Sequence, residues 1–205
     1  MIELYFWTTD NGRKALQMAE ESGLNYRRRP VDLTKREQFS PEYLKISPGH
    51  KIPALVDDDG PGGARISLCE SGAILKYLAE KAGGALYPAE AARRAKVDQW
   101  FFYGSATFTP IAQQYGFFMH RSPEDVPQAK KHFGALMRDM FGIFDRHLAD
   151  SVFLGGDFSI ADISCYPDVH LHGKEGIGLG EYPNLNRWHD AIAARPATGR
   201  AWGPI

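Results

Sequence analysis

The sequence predicts an α/β domain over residues 1–83, followed by an all-helical domain over residues 89–205. Strand patterns and helix patterns alternate along the first of these stretches. Beyond Leu86-Tyr87-Pro88, strand patterns disappear and apolar residues recur at helical spacing, which places a linker near residues 82–90. The 205 residues are 43% hydrophobic and 12% aromatic, so one large domain or two small ones can bury a core.

The α/β domain begins with a strand, because residues 2–6 alternate apolar and polar side chains. Residues 15–19 carry apolar side chains at helical spacing and lead to Gly23, which predicts a short helix that ends there. Residues 26–32 form a second candidate strand. Three arginines and Pro30 restrict that strand to the edge of a sheet.

The sequence of the rest of this domain predicts a hairpin and a helix. Residues 38–46 have a mixed pattern that is either helical or irregular. Residues 51–56 and 65–68 have the composition of strands, and the turn-rich residues 57–64 join them. Apolar residues then recur at helical spacing over residues 74–82. The predicted order is βαβ, an irregular segment, then ββα.

The second domain carries long apolar and aromatic stripes at helical spacing. These stripes predict helices that pack into a bundle core, and they do not indicate a cofactor site. The sequence shows no internal repeat and no segment of low complexity. The helical stretches lie at residues 97–108, 133–148 and 185–192.

Two local signals mark helix ends in this domain. Ser159 and Asp162 have the spacing of a capping box, in which the serine oxygen accepts from a backbone N–H and the acid accepts from the serine N–H. Arg195-Pro196 should end the last helix, because the residue before proline resists helical geometry. Both signals concern folding.

Charge and cysteine content exclude several classes of function. The net charge is -1, from 24 basic and 25 acidic residues, so bulk electrostatics predicts no affinity for nucleic acid or anionic membrane. Cys69 and Cys165 lie far apart without a CxxC motif, which fits a reducing compartment and predicts a cytoplasmic protein. No apolar run approaches the ~18 residues of a membrane span. No metal site is expected, since His170 and His172 would face apart on a helix.

Two short segments of the first domain carry candidate binding chemistry. Ile52-Pro53 opens a predicted strand, where proline removes a ladder donor, so either the proline lies at an edge or its peptide bond is cis. A cis bond would leave the backbone N–H and C=O of Ile52 free to pair with an extended peptide ligand. Glu70-Ser71 opens a helix, where free N–H groups suit a carboxylate and the Glu70 carboxylate suits an ammonium. An ordinary N-cap is the alternative interpretation.

The chain as a whole resembles the glutathione transferases. The similarity lies in KIPAL, ESGAILKYLAEK, LYP, FSIADI and YPNLNRWHDAIAARPA, while LYFWTTDNGRK and QFSPEYLKISPGHKIPAL are similar to the bacterial nu-class, related to the Ure2 proteins. The resemblance implies a thioredoxin-like N-terminal domain, an all-helical C-terminal domain and a cytosolic homodimer. It implies reduced or oxidised glutathione as co-substrate, no metal, and reduction of disulfide bonds.

The resemblance also implies roles for particular residues. Thr9 and Asn11 would face the glutathione sulfur, in a turn that replaces the catalytic tyrosine, serine or cysteine of other classes. Their donors would favour the thiolate and so lower the thiol pKa. Glu70 and Ser71 would hold the γ-glutamyl end, and the backbone of Ile52, before Pro53, would hold the cysteinyl residue.

The remaining implied contacts concern the other end of glutathione. Lys51 and Gln38 would bind its glycyl or neighbouring polar groups, and His50 stands where relatives have asparagine. His132 stands where relatives have an arginine that reaches glutathione across the dimer. Gly116 stands in a segment where relatives have histidine, and nearby aromatic side chains would line the site of a hydrophobic co-substrate, namely Phe117, Phe118 and Tyr103 or Tyr115.

Simpler interpretations accompany these roles. Thr9 could cap the first helix, Asn11-Gly12 could be a plain turn, and Lys51 could be a solvated edge lysine. Tyr5 lies inside the alternating strand, where packing is the expected role. Both cysteines fit buried small apolar residues.

Four functions are therefore compared. The first is a glutathione-dependent disulfide-bond reductase, and the second a transferase that conjugates glutathione to electrophilic small molecules. The third is a non-catalytic glutathione-binding regulatory module. The fourth is a glutaredoxin-like enzyme with its own cysteine, which the lack of CxxC near the first helix disfavours.

Overall fold

The computed structural model describes residues 1–171 and 176–204. The chain forms two compact units, of which the first contains Met1–Tyr87 and the segment from Arg195 onward, and the second contains Pro88–Ala194. In the described ranges, no helix combines the length and apolar composition needed to cross a membrane. His172, considered above with His170, lies outside the described residues.

The first unit has four strands and four helices among the described residues. The order is βαβ, an irregular segment, then ββα, as the sequence predicts. One further helix follows near the end of the chain. The 3₁₀ turns Leu33–Lys35 and Glu37–Phe39 and the short α2 make up the irregular segment. The bounds are β1 Ile2–Phe6, α1 Asp10–Ser22, β2 Tyr26–Pro30, α2 Pro41–Leu44, β3 Ala54–Asp57, β4 Ile66–Cys69, α3 Ser71–Lys81 and α9 Pro196–Trp202.

The four strands form one mixed sheet in the order β2-β1-β3-β4. β1 pairs parallel with β2 and antiparallel with β3, and β3 pairs antiparallel with β4. The arginine-rich β2 therefore lies at an edge, as the sequence predicts. β3 begins at Ala54, later than predicted, because Pro53 has no N–H to donate to the ladder.

Alternation along the strands gives the sheet two different faces. Leu4 pairs with Leu55, and both are fully buried. Their neighbours Tyr5 and Ala54 also pair, and they point to the opposite face. On that face an apolar cluster contains Val31, Tyr43 and Ala54, with Tyr5, Ile46 and Ile52 packed against it.

The last helix, α9, was not predicted. We expected Arg195-Pro196 to end the final helix, and α8 does end at Ala193, but Pro196 also begins a new helix. Proline favours the first helical position, since its missing N–H would have no intrahelical partner there. α9 packs on α1, where the Gln17 amide donates to the Thr198 hydroxyl at 2.9 Å.

The second unit is helical, as predicted. A π-helical segment, Tyr103–Phe108, joins α4 to α5. The apolar stripe of α6 is core, because Met137, Phe141, Phe144 and Leu148 are almost completely buried. The bounds are α4 Ala91–Phe102, α5 Thr109–His120, α6 Pro127–Leu148, α7 Ile160–His170 and α8 Pro183–Ala193.

The capping box of the second unit is present. The Ser159 N–H donates to the Asp162 carboxylate at 2.9 Å, and the Ser159 hydroxyl accepts from the Ala161 N–H. Trp188 Nε1 donates to the same carboxylate at 2.8 Å. Burial raises the pKa of Asp162 to about 6, and these hydrogen bonds oppose that rise.

Candidate functional site

The turn between β1 and α1 is held by Thr9. Thr9 is the N-cap of α1, and its Oγ1 accepts from the Gly12 N–H at 3.2 Å. A hydroxyl that accepts one hydrogen bond still has its own proton to donate. The capping interpretation is therefore correct, and it leaves the hydroxyl proton of Thr9 available for another group.

Asn11 has an unpartnered polar atom at the first turn of α1. Its Oδ1 is buried and finds no hydrogen-bond partner among the described residues. Leaving a buried acceptor unpaired costs roughly 1–3 kcal/mol, so such atoms need a functional or structural explanation. The side-chain amide donates to none of the described residues either, so both ends of this group could meet a ligand.

Gly12 is fixed by a close approach of two backbone segments. A Cβ added there would lie 2.1 Å from the carbonyl oxygen of Trp7, so no residue with a side chain fits without movement. The interpretation of Asn11-Gly12 as a plain turn is wrong, because both residues lie in the first turn of α1. Gly12 lets the chain bend tightly enough for its N–H to reach Thr9.

The peptide bond between Ile52 and Pro53 is cis, which decides between the two alternatives that the sequence left open. Neither backbone polar group of Ile52 bonds to any described residue. Ile52 is half-buried and Lys51 is exposed, while Pro53 is buried. Ile52 thus offers one donor and one acceptor at the start of β3.

Glu70 precedes α3 in a conformation that is rare for residues with a side chain. Its φ is 73°, and its carboxylate does not cap the helix. The ordinary N-cap interpretation is wrong for this side chain. Glu70 is exposed and its carboxylate bonds to none of the described residues, so it is available to a cation, while Ser71 occupies the first helical position beside it.

Gln38 and His50 belong to two segments that touch. The ring of Phe39, next to Gln38, packs at a tilt against the ring of His50, with the ring centroids 4.9 Å apart, and the φ of His50 is 46°. The Oε1 atom of Gln38 is buried without a partner among the described residues. The contact joins the segment that contains Gln38 to the segment that contains His50, and a shared role of Gln38, His50 and Lys51 in binding stays a prediction.

His132 and the aromatic side chains of α5 lie in the second unit. His132 is exposed on α6, and its ring meets Phe133 edge to face at 5.2 Å. Phe118 stacks on Phe133 at 5.6 Å, while Phe117 is partly exposed. The contribution of these residues to a binding site stays a prediction.

The cysteines do not lie in the turn at residues 7–14. Cys165 is buried, as predicted, but Cys69 is only half-buried, because it ends β4 at the edge of the sheet. Neither forms a disulfide bond. Over residues 1–171 and 176–204, no cluster of three metal-ligating side chains occurs.

Two buried hydroxyls near Lys51 were missed by sequence reasoning. The side chains of Tyr43 and Ser47 both donate to the carbonyl oxygen of Lys51. The sequence pattern places Tyr43 in the mixed segment 38–46 and assigns Ser47 to no element, and QFSPEYLKISPGHKIPAL enters only as part of the resemblance to the nu-class. A tyrosine and a serine in the irregular segment before Ile-Pro were the signal available.

Fold and site together define a class of protein: the chain belongs to the glutathione S-transferase family. The family model of the glutathione S-transferase N-terminal domain matches residues 2–80, and that of the C-terminal domain matches residues 108–196. The prediction of a thioredoxin-like domain followed by a helical domain is confirmed.

Among relatives, the chain is similar to the disulfide-bond oxidoreductase YfcG of Escherichia coli, with 43% identity over 203 residues, 98% of this chain and 94% of YfcG. It is also similar to the disulfide-bond oxidoreductase YghU of Escherichia coli, with 33% identity over 97% of this chain and 73% of YghU.

Solved structures show the same fold. A glutathione transferase family member from Pseudomonas fluorescens, with two glutathione bound, has a TM-score of 0.92 and 33% identity over 98% of this chain and 92% of that chain. A glutathione transferase from Pseudomonas putida, with one glutathione disulfide bound per subunit, has a TM-score of 0.93 and 32% identity, covering 98% and 90%.

Proposed function

We propose that this protein is a glutathione-dependent disulfide-bond reductase. The observation that carries the proposal is the turn at the start of α1, which presents the Thr9 hydroxyl and the Asn11 side chain but no thiol. A sulfur nucleophile must then arrive with the ligand. The similarity to two disulfide-bond oxidoreductases supports this function over other glutathione chemistry.

The proposed reaction is a double thiol–disulfide exchange. The thiolate of bound glutathione attacks one sulfur of the substrate disulfide, forms a mixed disulfide and releases the other sulfur as a thiolate. A second glutathione thiolate attacks the glutathione sulfur of the mixed disulfide and releases the remaining substrate thiolate. Two glutathiones are oxidised to one glutathione disulfide, and the substrate gains two electrons and two protons.

Thr9 and Asn11 would favour the thiolate. The Thr9 hydroxyl proton and the Asn11 amide are donors with no partner among the described residues, and a hydrogen bond to the charged form of an acid lowers its pKa. More of the bound thiol is then ionised at neutral pH, and the thiolate is the reactive species.

The ends of glutathione would be held by complementary groups. Its γ-glutamyl ammonium fits the free carboxylate of Glu70, and its α-carboxylate fits the start of α3 with Ser71. The backbone of Ile52 pairs with the cysteinyl residue as an added strand. Lys51, Gln38 and His50 bind the glycyl end.

We further propose a cytoplasmic homodimer. This arrangement is what the resemblance to nu-class glutathione transferases implies, and neither Cys69 nor Cys165 forms a disulfide bond, which fits a reducing compartment. His132, which is exposed on α6, is proposed to approach glutathione of the partner subunit.

The proposal is tested by comparing two substrates. We expect turnover of 2-hydroxyethyl disulfide, with two glutathiones consumed per disulfide, to exceed conjugation of an aromatic halide. Conjugation without disulfide turnover would favour the transferase.

Calorimetry with reduced and oxidised glutathione tests the regulatory module, which requires binding without either reaction. Absence of binding would contradict every glutathione-dependent function.

A further inference from the structure

The segment before Ile52 is fixed by two buried hydroxyls on one carbonyl. Tyr43 Oη donates to the Lys51 carbonyl oxygen at 2.7 Å, and Ser47 Oγ donates to the same oxygen at 2.8 Å. Tyr43 and Ser47 are 4% and 1% exposed, so water does not compete with these donors. A carbonyl oxygen has two lone pairs, and both are used here.

This carbonyl belongs to the peptide group that also contains the N–H of Ile52. The group is planar, and the Lys51–Ile52 bond is trans, so its N–H points opposite to its C=O. Holding the Lys51 oxygen toward the two hydroxyls therefore aims the Ile52 N–H away from them. That N–H has no partner among the described residues.

We propose that Tyr43 and Ser47 are positioning residues that aim the Ile52 N–H at the backbone of the bound peptide. The inference rests on the proposed function, since it concerns the same glutathione site. Neither side chain needs to touch the ligand. Together they hold one peptide plane, and the plane presents the donor.

Both hydroxyls suit this role chemically. Burial raises the pKa of Tyr43, so the phenol keeps its proton and remains a donor throughout the pH range of thiol chemistry. The Tyr43 ring packs in the apolar cluster with Val31 and Ala54, which fixes the direction of its hydroxyl. Ser47 lies near the end of α2, four residues before the carbonyl that it contacts.

The test uses Tyr43→Phe, Ser47→Ala and the double variant in the full-length protein. We expect the KM for glutathione to rise about three- to tenfold in each single variant, the range that corresponds to loss of one net hydrogen bond. The double variant should be the weakest binder. At saturating glutathione, kcat and its pH profile should stay within about twofold of the wild type, because the thiolate contacts are unchanged.

Tyr26→Phe is the matched control. It removes a phenol hydroxyl that bonds to Glu20, so it should lower the melting temperature without changing the KM for glutathione. A merely structural role for Tyr43 and Ser47 would give this same pattern in their variants. An unchanged KM in the folded double variant would overturn the inference.

Two further outcomes are decisive. If Tyr43→Phe does not fold, the test is made with Ser47→Ala alone. If Ser47→Ala does not fold either, the hydroxyls serve stability only and the inference is overturned. Calorimetry on the wild type separates the two proposals. No glutathione binding by the wild type contradicts the proposed function, whereas equal binding by wild type and double variant contradicts the positioning role alone.

Discussion

At the scale of single residues, the clearest indication of a ligand site is the unpaired polar atom of Asn11. Its buried Oδ1 has no partner among the described residues, and Gln38 Oε1 shares this condition. Both residues were singled out from the sequence by resemblance alone. The structure adds a physical reason, because a buried acceptor without a partner is costly unless a ligand or water satisfies it.

Substitution of the α1 turn should change the ionisation of bound glutathione. Asn11→Ala removes a donor to the thiolate, worth about 1–3 kcal/mol for a hydrogen bond to a charged group, and should raise the bound thiol pKa by about 1–2 units. The measurement is the acidic limb of the pH–rate profile. Asn25→Ala, at an exposed position between α1 and β2, is the control. Unchanged profiles in both Asn11→Ala and Thr9→Ala would show that the turn only shapes the site.

Substitution of Glu70 should affect glutathione binding and the thermal stability of the protein differently. Its φ of 73° is unfavourable for a side chain but readily adopted by glycine, so Glu70→Gly should keep or slightly raise the melting temperature. The same change removes the proposed ammonium partner and should weaken glutathione binding by about tenfold or more.

Glu80→Gln is the control for Glu70, because it neutralises an exposed glutamate on α3, the helix that Glu70 precedes. Calorimetry with reduced glutathione should show no change in this variant. Equal affinity of wild type and Glu70→Gly would remove Glu70 from the site.

At the scale of elements, one carboxylate joins three parts of the first unit. Glu20 of α1 accepts hydrogen bonds from Tyr26 and Arg28 of β2 and from Arg200 of α9. Burial on its own raises the pKa of Glu20, but the hydrogen bonds from Tyr26, Arg200 and Arg28 outweigh it and lower the pKa to about 2. The ionised form is thus favoured in the folded state.

A pH dependence of stability follows from that shift. The pKa of Glu20 in the unfolded state is near the ordinary glutamate value of 4.5, and its pKa in the folded state is lower, so the unfolded state binds more protons between these two pH values. The stabilisation is complete above pH 4.5 and is lost as the pH falls toward 2. Glu20→Gln should flatten this acid limb of the unfolding free energy, and Glu42→Gln, at an exposed glutamate, should not.

The elements show where sequence reasoning works. β1, α1 and the β3–β4 hairpin were predicted because their signals are local: alternation, helical spacing, Gly23 and a turn-rich connection. The helix α9 was missed because Pro196 carries both an end signal and a start signal. The contacts of Tyr43 and Ser47 with Lys51 could not be predicted, since they depend on how an irregular segment folds back on itself.

At the scale of the whole molecule, the two-part architecture was predictable and the exact division was not. The sequence placed residues 89–205 together, whereas contacts group the segment from Arg195 onward with the first unit. Arg195 donates twice to Glu21 of α1, at 2.6 and 2.8 Å. Such pairing between distant parts of the chain leaves no local pattern to recognise.

The whole-molecule account also predicts independence from the protein's own thiols. Cys69 is half-buried and Cys165 is buried, and neither lies in the α1 turn. A variant in which both are replaced by alanine should therefore reduce 2-hydroxyethyl disulfide at close to the wild-type rate. The Cys165→Ala change leaves a small cavity beside Gly104, so folding is checked by the melting temperature.

The central claim, that the protein activates a thiol supplied by its ligand, is tested most directly in this cysteine-free variant. Ultraviolet thiolate absorbance of the variant saturated with glutathione is titrated against pH, and subtraction of the signal of the same excess of free glutathione leaves the bound glutathione sulfur. We predict a bound thiol pKa below the ordinary value of about 8.5, together with retained disulfide turnover. An unshifted thiol pKa, or loss of turnover in the folded variant, would contradict the claim.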